Sequence, residues 1–280
     1  MISMPNPELF RIGPLAIRWY GIFAALGMLA WFQLQAWRAP KYGFKTEDVS
    51  DFTFVTIVSG LIGARLAYVL RFWNSEFSGR SFLEVFKVYE GGLVFYGGFI
   101  GAVLCCILYC RHRKWSLANV ADLTAPALPL GHALGRIGCL LNGCCFGVPY
   151  SGPLATTYPP SNVTMNYVQR KLGVLPPDAN YCASTFPIEG IASIFNVFLC
   201  LFLLWLERRK KFKGLLFPIY MGLYAMGRFC IEFGRGDSIV KIWGMTPGQR
   251  TCACIFPIAC IWFIFGYFYQ KRKNAKIGNK

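Results

Sequence analysis

HALGRIGCLLNGCCFG, residues 132–147, closes a long apolar run, yet it carries a permanent cation, a histidine, three cysteines and repeated glycines. An arginine near the middle of a lipid-crossing helix costs about 2.5–3.5 kcal/mol on the insertion scale. A cation kept in such a place points to a task.

The surroundings confirm the apolar setting. Of 280 residues, 55% are hydrophobic and 15% charged. The apolar residues gather in runs near the ~20 residues that cross a bilayer. Seven runs read as spans: 15–36, 52–72, 92–110, 117–138, 187–206, 214–234 and 248–269. The fourth holds Asp122, Pro126 and Pro129 and reads as broken or re-entrant, which is tolerated where the backbone is buried in protein or lines a cavity. The expected fold is an all-α polytopic membrane protein of about seven transmembrane helices. It is a single integral domain over 1–280, with a small external head or lid at 146–186 between spans four and five. A basic tail occupies 270–280. A structureless loop as long as 146–186 would be unusual, hence the expectation of a head.

The net charge of +16 does not indicate nucleic acid, because most of the basic residues lie in short loops between apolar runs. That placement fits topology setting and attraction to anionic lipid heads. Sixteen cations follow the odd-numbered spans: Arg38, Lys41, Lys45, Arg111, Arg113, Lys114, Arg208, Arg209, Lys210, Lys211, Lys213, Lys271, Arg272, Lys273, Lys276 and Lys280. Seven lie on the other side: Arg11, Arg80, Lys87, Arg170, Lys171, Arg235 and Lys241. The positive-inside rule then puts the N-terminus outside and the tail in the cytoplasm. The N-terminal segment lacks a basic region followed by a short apolar core and cleavage site, so no removable signal peptide is expected. The 12 cysteines include no CxxC pair, and there are only two histidines, His112 and His132. This pattern argues against a zinc site, and no metal is expected.

Six arginines fall within or at the ends of spans: Arg18, Arg65, Arg71, Arg136, Arg228 and Arg250. Arg18, Arg71 and Arg250, close to span ends, read as snorkelling or paired. Arg136 and Arg228 read as functional. On a helix His132, Arg136 and Cys139 share one face. The pairs Gly131/Gly135 and Gly143/Gly147 suit close helix packing or the approach of a ligand. In GRFCIEFGRGD, Arg228, Glu232 and Arg235 are spaced either for an intrahelical ion-pair ladder or for one carboxylate holding two guanidiniums apart. Guanidinium is planar, always charged and forked, which suits phosphate. EGGLVFYGGFIG, residues 90–101, surrounds Tyr96 with glycines, as a packing face or as a crevice for its hydroxyl.

Taken in order, IGPLAIRWYGIFAALG at 12–27, GxRLxYVL at Gly63, Arg65, Leu66, Tyr68, Val69 and Leu70, GGLxFxGGxIG, GRxGxxxNGxxxG, RxxxExxR and PGQ at 247–249 resemble the prolipoprotein diacylglyceryl transferase family. Only 148–186 and the tail lack a clear match. The resemblance implies the first step of bacterial lipoprotein maturation. In that step the diacylglyceryl group of phosphatidylglycerol moves to the lipobox cysteine thiol of a preprolipoprotein, leaving a thioether and glycerol phosphate, with no cofactor. It implies Arg136 and Arg228 as catalytic stabilisers of the leaving phosphate and Tyr96 at the position of a proposed base; His132, one turn before Arg136, is read as a further catalytic residue that assists or substitutes. Tyr20, Arg136, Cys139, Asn142, Gly147, Glu232 and Arg235 are implied as substrate contacts. The implied setting is the inner membrane, and the 146–186 insertion fits the family's periplasmic head.

This chain departs from the family pattern at several points. Tyr96 stands where some members have a histidine proposed as base, and tyrosine, with pKa ~10, is a poor base near neutrality. His132 and Glu189, the latter in place of a family glutamine, are the other candidates. Cys139 and Cys144 stand where other members have Asn and Glu; a Cys139–Cys144 or Cys139–Cys145 disulfide is one reading of this cysteine-rich block. A transporter or lipid-binding protein for an anionic phospholipid is the rival class, against which the chain shows no inverted repeat.

Overall fold

The computed structural model describes residues 1–13, 15–79, 81–87, 91–209, 214–237 and 242–278. Arg80, Glu90, Lys210, Lys211, Lys213, Lys241 and Lys280, which entered the charge and motif readings, lie outside them. The chain forms two compact units, one of Met1–Trp31 with Thr124–Lys280 and one of Phe32–Leu123.

In the Phe32–Leu123 unit, helix α2 (Thr46–Phe72) packs against α3 (Phe95–His112). The contact is a glycine face. A Cβ on Gly63 would stand 2.5 Å from the carbonyl oxygen of Gly97, and one on Gly101 would stand 2.7 Å from that of Ser59. Backbones approach this closely only where side chains are missing. Gly97, Gly98 and Gly101 are therefore a helix-packing device, whereas Gly91 and Gly92 lie before α3 at positive φ. Arg65 is buried on α2 and donates to the carbonyls of Glu84, Val85, Gly91 and Gly92. A permanent charge is accommodated here by four backbone carbonyls, from residues 84–85 and 91–92. At the other end of this unit Phe44, Val49, Phe52, Val120 and Leu123 form a core against Tyr109 and Trp115. Arg38, also buried, donates to the carbonyls of Asp122 and Leu123 near the end of α4 (Leu117–Thr124).

In the other unit, α1 (Trp19–Arg38, whose residues from Phe32 onward belong to the unit just described) lies against α5 (Ala127–Asn142). A Cβ on Gly131 would meet the Gly27 carbonyl at 3.0 Å, and one on Gly138 would meet Tyr20 Cα at 3.3 Å. The glycine pair at this seam is thus Gly131 with Gly138, two turns apart, and not Gly131 with Gly135. Nothing lies within 4 Å of a Cβ on Gly135. Helix α5 packs on α7 (Ile188–Arg209), α7 on α8 (Leu216–Phe233), and α8 on α9 (Pro247–Gly278).

The protein is an all-α polytopic membrane protein. Among the described residues, Thr46–Phe77, Phe95–His112, Ile188–Arg209 and Pro247–Tyr269 are long and apolar enough to cross a bilayer. The run expected at 214–234 is helical as α8 over Leu216–Phe233, and that expected at 15–36 is helical only from Trp19 as α1, because Leu15–Arg18 form a strand of a hairpin. The fourth run breaks as its prolines suggested: α4 stops at Thr124 and α5 starts at Ala127. Pro126 removes a backbone donor and turns the preceding residue away from helix, while Pro129 sits in the first turn of α5, where proline is harmless.

Between α5 and α7 the chain is ordered by polar ties. Strand β1 (Ile2–Ser3) pairs in parallel with β4 (Thr156–Thr157), and β2 (Glu8–Ile12) forms a hairpin with β3 (Leu15–Arg18). Helix α6 (Val163–Lys171) is capped by Asn162, whose Oδ1 accepts from the Met165 amide. From α6, Asn166 donates to the carbonyls of Ala179 and Tyr181, and Gln169 exchanges two hydrogen bonds with the Ala183 backbone.

Candidate active site

Helix α5 ends in a turn that gathers most of the residues marked in the sequence. The amide of Gly143 donates to the Leu140 carbonyl and that of Cys144 to the Cys139 carbonyl. This is a Schellman motif, with Gly143 at φ +71° as its left-handed residue. Such a turn lays the residue after the glycine over the one five positions earlier, so Cys144 comes back onto Cys139. Cys145 is itself left-handed, at φ +65°. A non-glycine residue in that region costs of order 1–3 kcal/mol and persists only where its surroundings dictate it. The three Sγ atoms lie within 4.8 Å of one another, and all twelve thiols are free, so neither disulfide considered above is formed. Hydrogen bonds from Cys139 and Cys144, with Arg235 and Arg136 adding, hold the Cys145 thiol far below its ordinary value despite burial.

The α5 terminus is tied from outside. Tyr158 donates to the Leu140 carbonyl at 2.8 Å, and Asn162 Nδ2 donates to that of Asn142 at 3.0 Å. A side chain on Gly143 would strike Asn162 and Tyr158. Beyond the cysteines, the amides of Val148 and Gly236 donate to the carbonyls of Gly234 and Phe146. Gly147 and Arg235 thereby face each other across an antiparallel bridge. Gly147 is required there, because a Cβ would collide with the Phe186 backbone. The bridge sets Arg235 beside the cysteine turn. Arg235 is bidentate on Asp237 at 2.8 and 2.7 Å. Burial works against its charge, but this pair more than offsets the penalty and raises its pKa.

On α8, Arg228 pairs with Glu232 at 2.5 Å, and Arg235 reaches the same carboxylate at 3.5 Å. Both expectations hold: the spacing is an ion-pair ladder, and one carboxylate holds two guanidiniums. Glu232 is 3% exposed and is itself fixed by the start of α9. Thr246 Oγ1 donates to Glu232 Oε1 at 2.9 Å. Thr246 and Gln249 also satisfy each other's amides, a capping box. Gly248 leaves the space that the carboxylate occupies, since a Cβ would stand 2.8 Å from it. The TPGQ sequence at 246–249 announces this box, and reading only its last three residues misses it.

Arg136 differs from its companions. Among the described residues it makes no ion pair within 4 Å; its Nε donates to His132 Nε2 at 3.0 Å. His132 Nδ1 stands 3.3 Å from Asn196 Oδ1. With Nε2 accepting, Nδ1 carries the proton and donates to Asn196. The chain Asn196–His132–Arg136 therefore fixes the direction of the guanidinium. Glu189, at the start of α7, is 1% exposed, and neither carboxyl oxygen has a hydrogen-bond partner among the described residues. Asn142 Oδ1 is likewise buried without one. Tyr20 lies over Gly138 within electrostatic range of Arg136 and Cys139.

The structure thus brings together Tyr20, His132, Arg136, Cys139, Asn142, Gly147, Arg228, Glu232 and Arg235 in one unit. Tyr96 lies in the other unit, near the start of α3, and is 53% exposed.

Residues 7–265 match the model of a family described as prolipoprotein diacylglyceryl transferase. The chain is 32% identical over 268 residues to the phosphatidylglycerol–prolipoprotein diacylglyceryl transferase of Clostridium botulinum (strain Langeland), covering 96% of this chain and 99% of that protein. It is 31% identical over 237 residues to the protein of the same name from Clostridium tetani, covering 83% and 86%. It is 31% identical over 229 residues to phosphatidylglycerol–prolipoprotein diacylglyceryl transferase 2 of Clostridium perfringens, covering 82% and 83%.

Proposed function

The chain belongs to the prolipoprotein diacylglyceryl transferase family, and from that premise we propose how its own residues perform the transfer. The activity moves the diacylglyceryl group of phosphatidylglycerol to a prolipoprotein in lipoprotein maturation. The acceptor is the lipobox cysteine thiol. Its sulfur attacks the glycerol carbon, the carbon–oxygen bond to phosphate breaks, and glycerol phosphate leaves with the electron pair.

Negative charge grows on the departing phosphate. A preorganised cation in a poorly hydrated site stabilises that growth more than it stabilises the starting diester. Arg136 is placed for this, and its lack of an ion pair among the described residues is the observation that carries the reading. Among the described residues no carboxylate lies within 4 Å of its terminal nitrogens, though Glu189 is within electrostatic range, so the fork is available to a phosphate. Gly135 beside it has nothing within 4 Å of where a Cβ would stand, which leaves room next to the guanidinium. Arg228 and Arg235, spaced by Glu232, supply the second cationic wall. His132 acts by aiming Arg136. Its free lone pair is engaged by that arginine, which speaks against its serving as the base. Tyr20, Cys139, Asn142 and Gly147 shape the floor of the site.

The segment 146–186 serves as an external head over this site. The protein sits in the bacterial plasma membrane with its N-terminus outside and its C-terminus in the cytoplasm, as the sixteen-to-seven division of loop cations supports. The test is direct. Purified protein mixed with phosphatidylglycerol vesicles and a lipobox peptide yields thioether-lipidated peptide and glycerol phosphate. Absence of both products under conditions where a relative is active would remove the reading.

A further inference from the structure

The thiols of Cys139, Cys144 and Cys145 form a compact trio, all within 4.8 Å of one another. Their meeting is constructed by the Schellman turn, by the left-handed backbone of Cys145 and by glycines at 143 and 147 that nothing larger replaces. Thiolates on one zinc ion stand about 2.3 Å from it, hence about 3.8 Å apart at tetrahedral angles, so the trio is within about 1 Å of that geometry. No histidine, aspartate or glutamate joins the group among the described residues. Three ligands with the fourth position open is the pattern of a catalytic zinc site; a structural site is closed by four. Cys144 and Cys145 are only half-buried, so the open position is not sealed.

We propose that Cys139, Cys144 and Cys145 bind one zinc ion whose open position takes the acceptor cysteine of the prolipoprotein and holds it as the attacking thiolate. This rests on the transferase reading above. On binding, the acceptor thiol gives its proton to water as the sulfur–zinc bond forms. Its sulfur then forms the bond to the glycerol carbon while the carbon–oxygen bond to phosphate breaks. The electron pair departs with glycerol phosphate, and nothing is oxidised or reduced. The thioether product, a weaker ligand, leaves the three protein cysteines on the metal. Arg136 lies one turn before Cys139 on the same helix face, about 5–6 Å away at Cβ, so a phosphate on the arginine lies beside a thiolate on the metal. Metal coordination activates a nucleophile without a strong base nearby, which Tyr96 does not offer. The C-x4-C-C spacing contains no paired ligand motif, which is why the sequence argued against zinc.

Zinc analysis of the full chain purified in detergent is expected to give close to one ion per chain, with affinity at least tenfold weaker in Cys139→Ser and Cys145→Ser. After cobalt(II) replaces zinc, the sulfur-to-cobalt charge-transfer band is expected to strengthen with a lipobox peptide containing cysteine and to ignore its serine analogue. Since Cys139→Ser can disturb the helix end, a second arm strips zinc from the unaltered protein with a chelator. Transfer is expected to fall at least tenfold and to return with zinc. A metal-free protein with three alkylatable thiols, a mapped disulfide within the trio, or a cobalt spectrum blind to the cysteine peptide overturns the proposal. Full transfer by the chelated protein overturns it too and leaves the transferase reading standing. A cobalt response to peptide without any lipid transfer upholds the thiol site and sinks the transferase reading.

Discussion

Glu232 Oε2 stands 2.5 Å from Arg228 Nη2, with the carboxylate side chain 2% exposed. A buried pair of this kind is weak evidence of stability while intact, but removing one partner strands the other. Glu232→Gln is expected to destabilise the protein by about 3 kcal/mol and to lower transfer at least tenfold, because Arg228 and Arg235 lose their common spacer. Denaturation of the purified protein in detergent, alongside the transfer assay, checks both. Unchanged stability would mean that the pair is solvated.

Arg136→Lys keeps the charge and loses the fork. Losing one preorganised electrostatic contact costs about 10²–10³ in rate. Transfer by this variant is expected to fall about a hundredfold with the fold intact. Wild-type turnover would take Arg136 out of the mechanism.

His132 aims Arg136 and hydrogen-bonds Asn196. His132→Ala is expected to lower kcat about tenfold with no change in the shape of the pH profile, while His132→Gln, which keeps an acceptor, recovers part of the loss. Disappearance of the acid limb in both variants would instead identify His132 as the base.

Gly135 and Gly138 are neighbours in one motif with opposite surroundings. A side chain on Gly138 would strike Phe23 and Tyr20, whereas one on Gly135 meets nothing within 4 Å. Gly138→Leu is expected to cost several kcal/mol by forcing α1 off α5. Gly135→Leu is expected to fold normally and to raise the KM for phosphatidylglycerol by filling headgroup space. Thermal stability and KM measured on both variants separate the two effects.

Arg65 donates to four carbonyls between Glu84 and Gly92. Arg65→Ala leaves those acceptors without their donor, and limited proteolysis is expected to cut next to residues 84–85 and 91–92 much faster than in the unaltered chain. Equal protection at those bonds would show that they are held by other contacts.

Much of the fold was legible because bilayer thickness fixes run length, and Pro126 marked the break between α4 and α5. The Gly131–Gly138 seam was not legible, since spacing on one helix does not reveal which face its neighbour covers. In the site, Arg136, Arg228 and Glu232 stood out because charge is costly in apolar runs. Arg65 carried the same signal but is consumed by backbone carbonyls, and only three dimensions distinguish the two fates. The cysteine block stood out, but as a disulfide reading; its meeting as three free thiols was not legible, because a left-handed turn brings it together and residue spacing alone does not encode φ at Cys145.

Ile2–Ser3 pair in parallel with Thr156–Thr157. The ribosome makes the first strand long before its partner exists, and α1 through α5 emerge in between. The β1 segment must therefore wait, unpaired, until α1 through α5 have been synthesised. Closing this small ladder follows the synthesis of five helices, and it ties a segment made before α1 to the one that follows the cysteine turn.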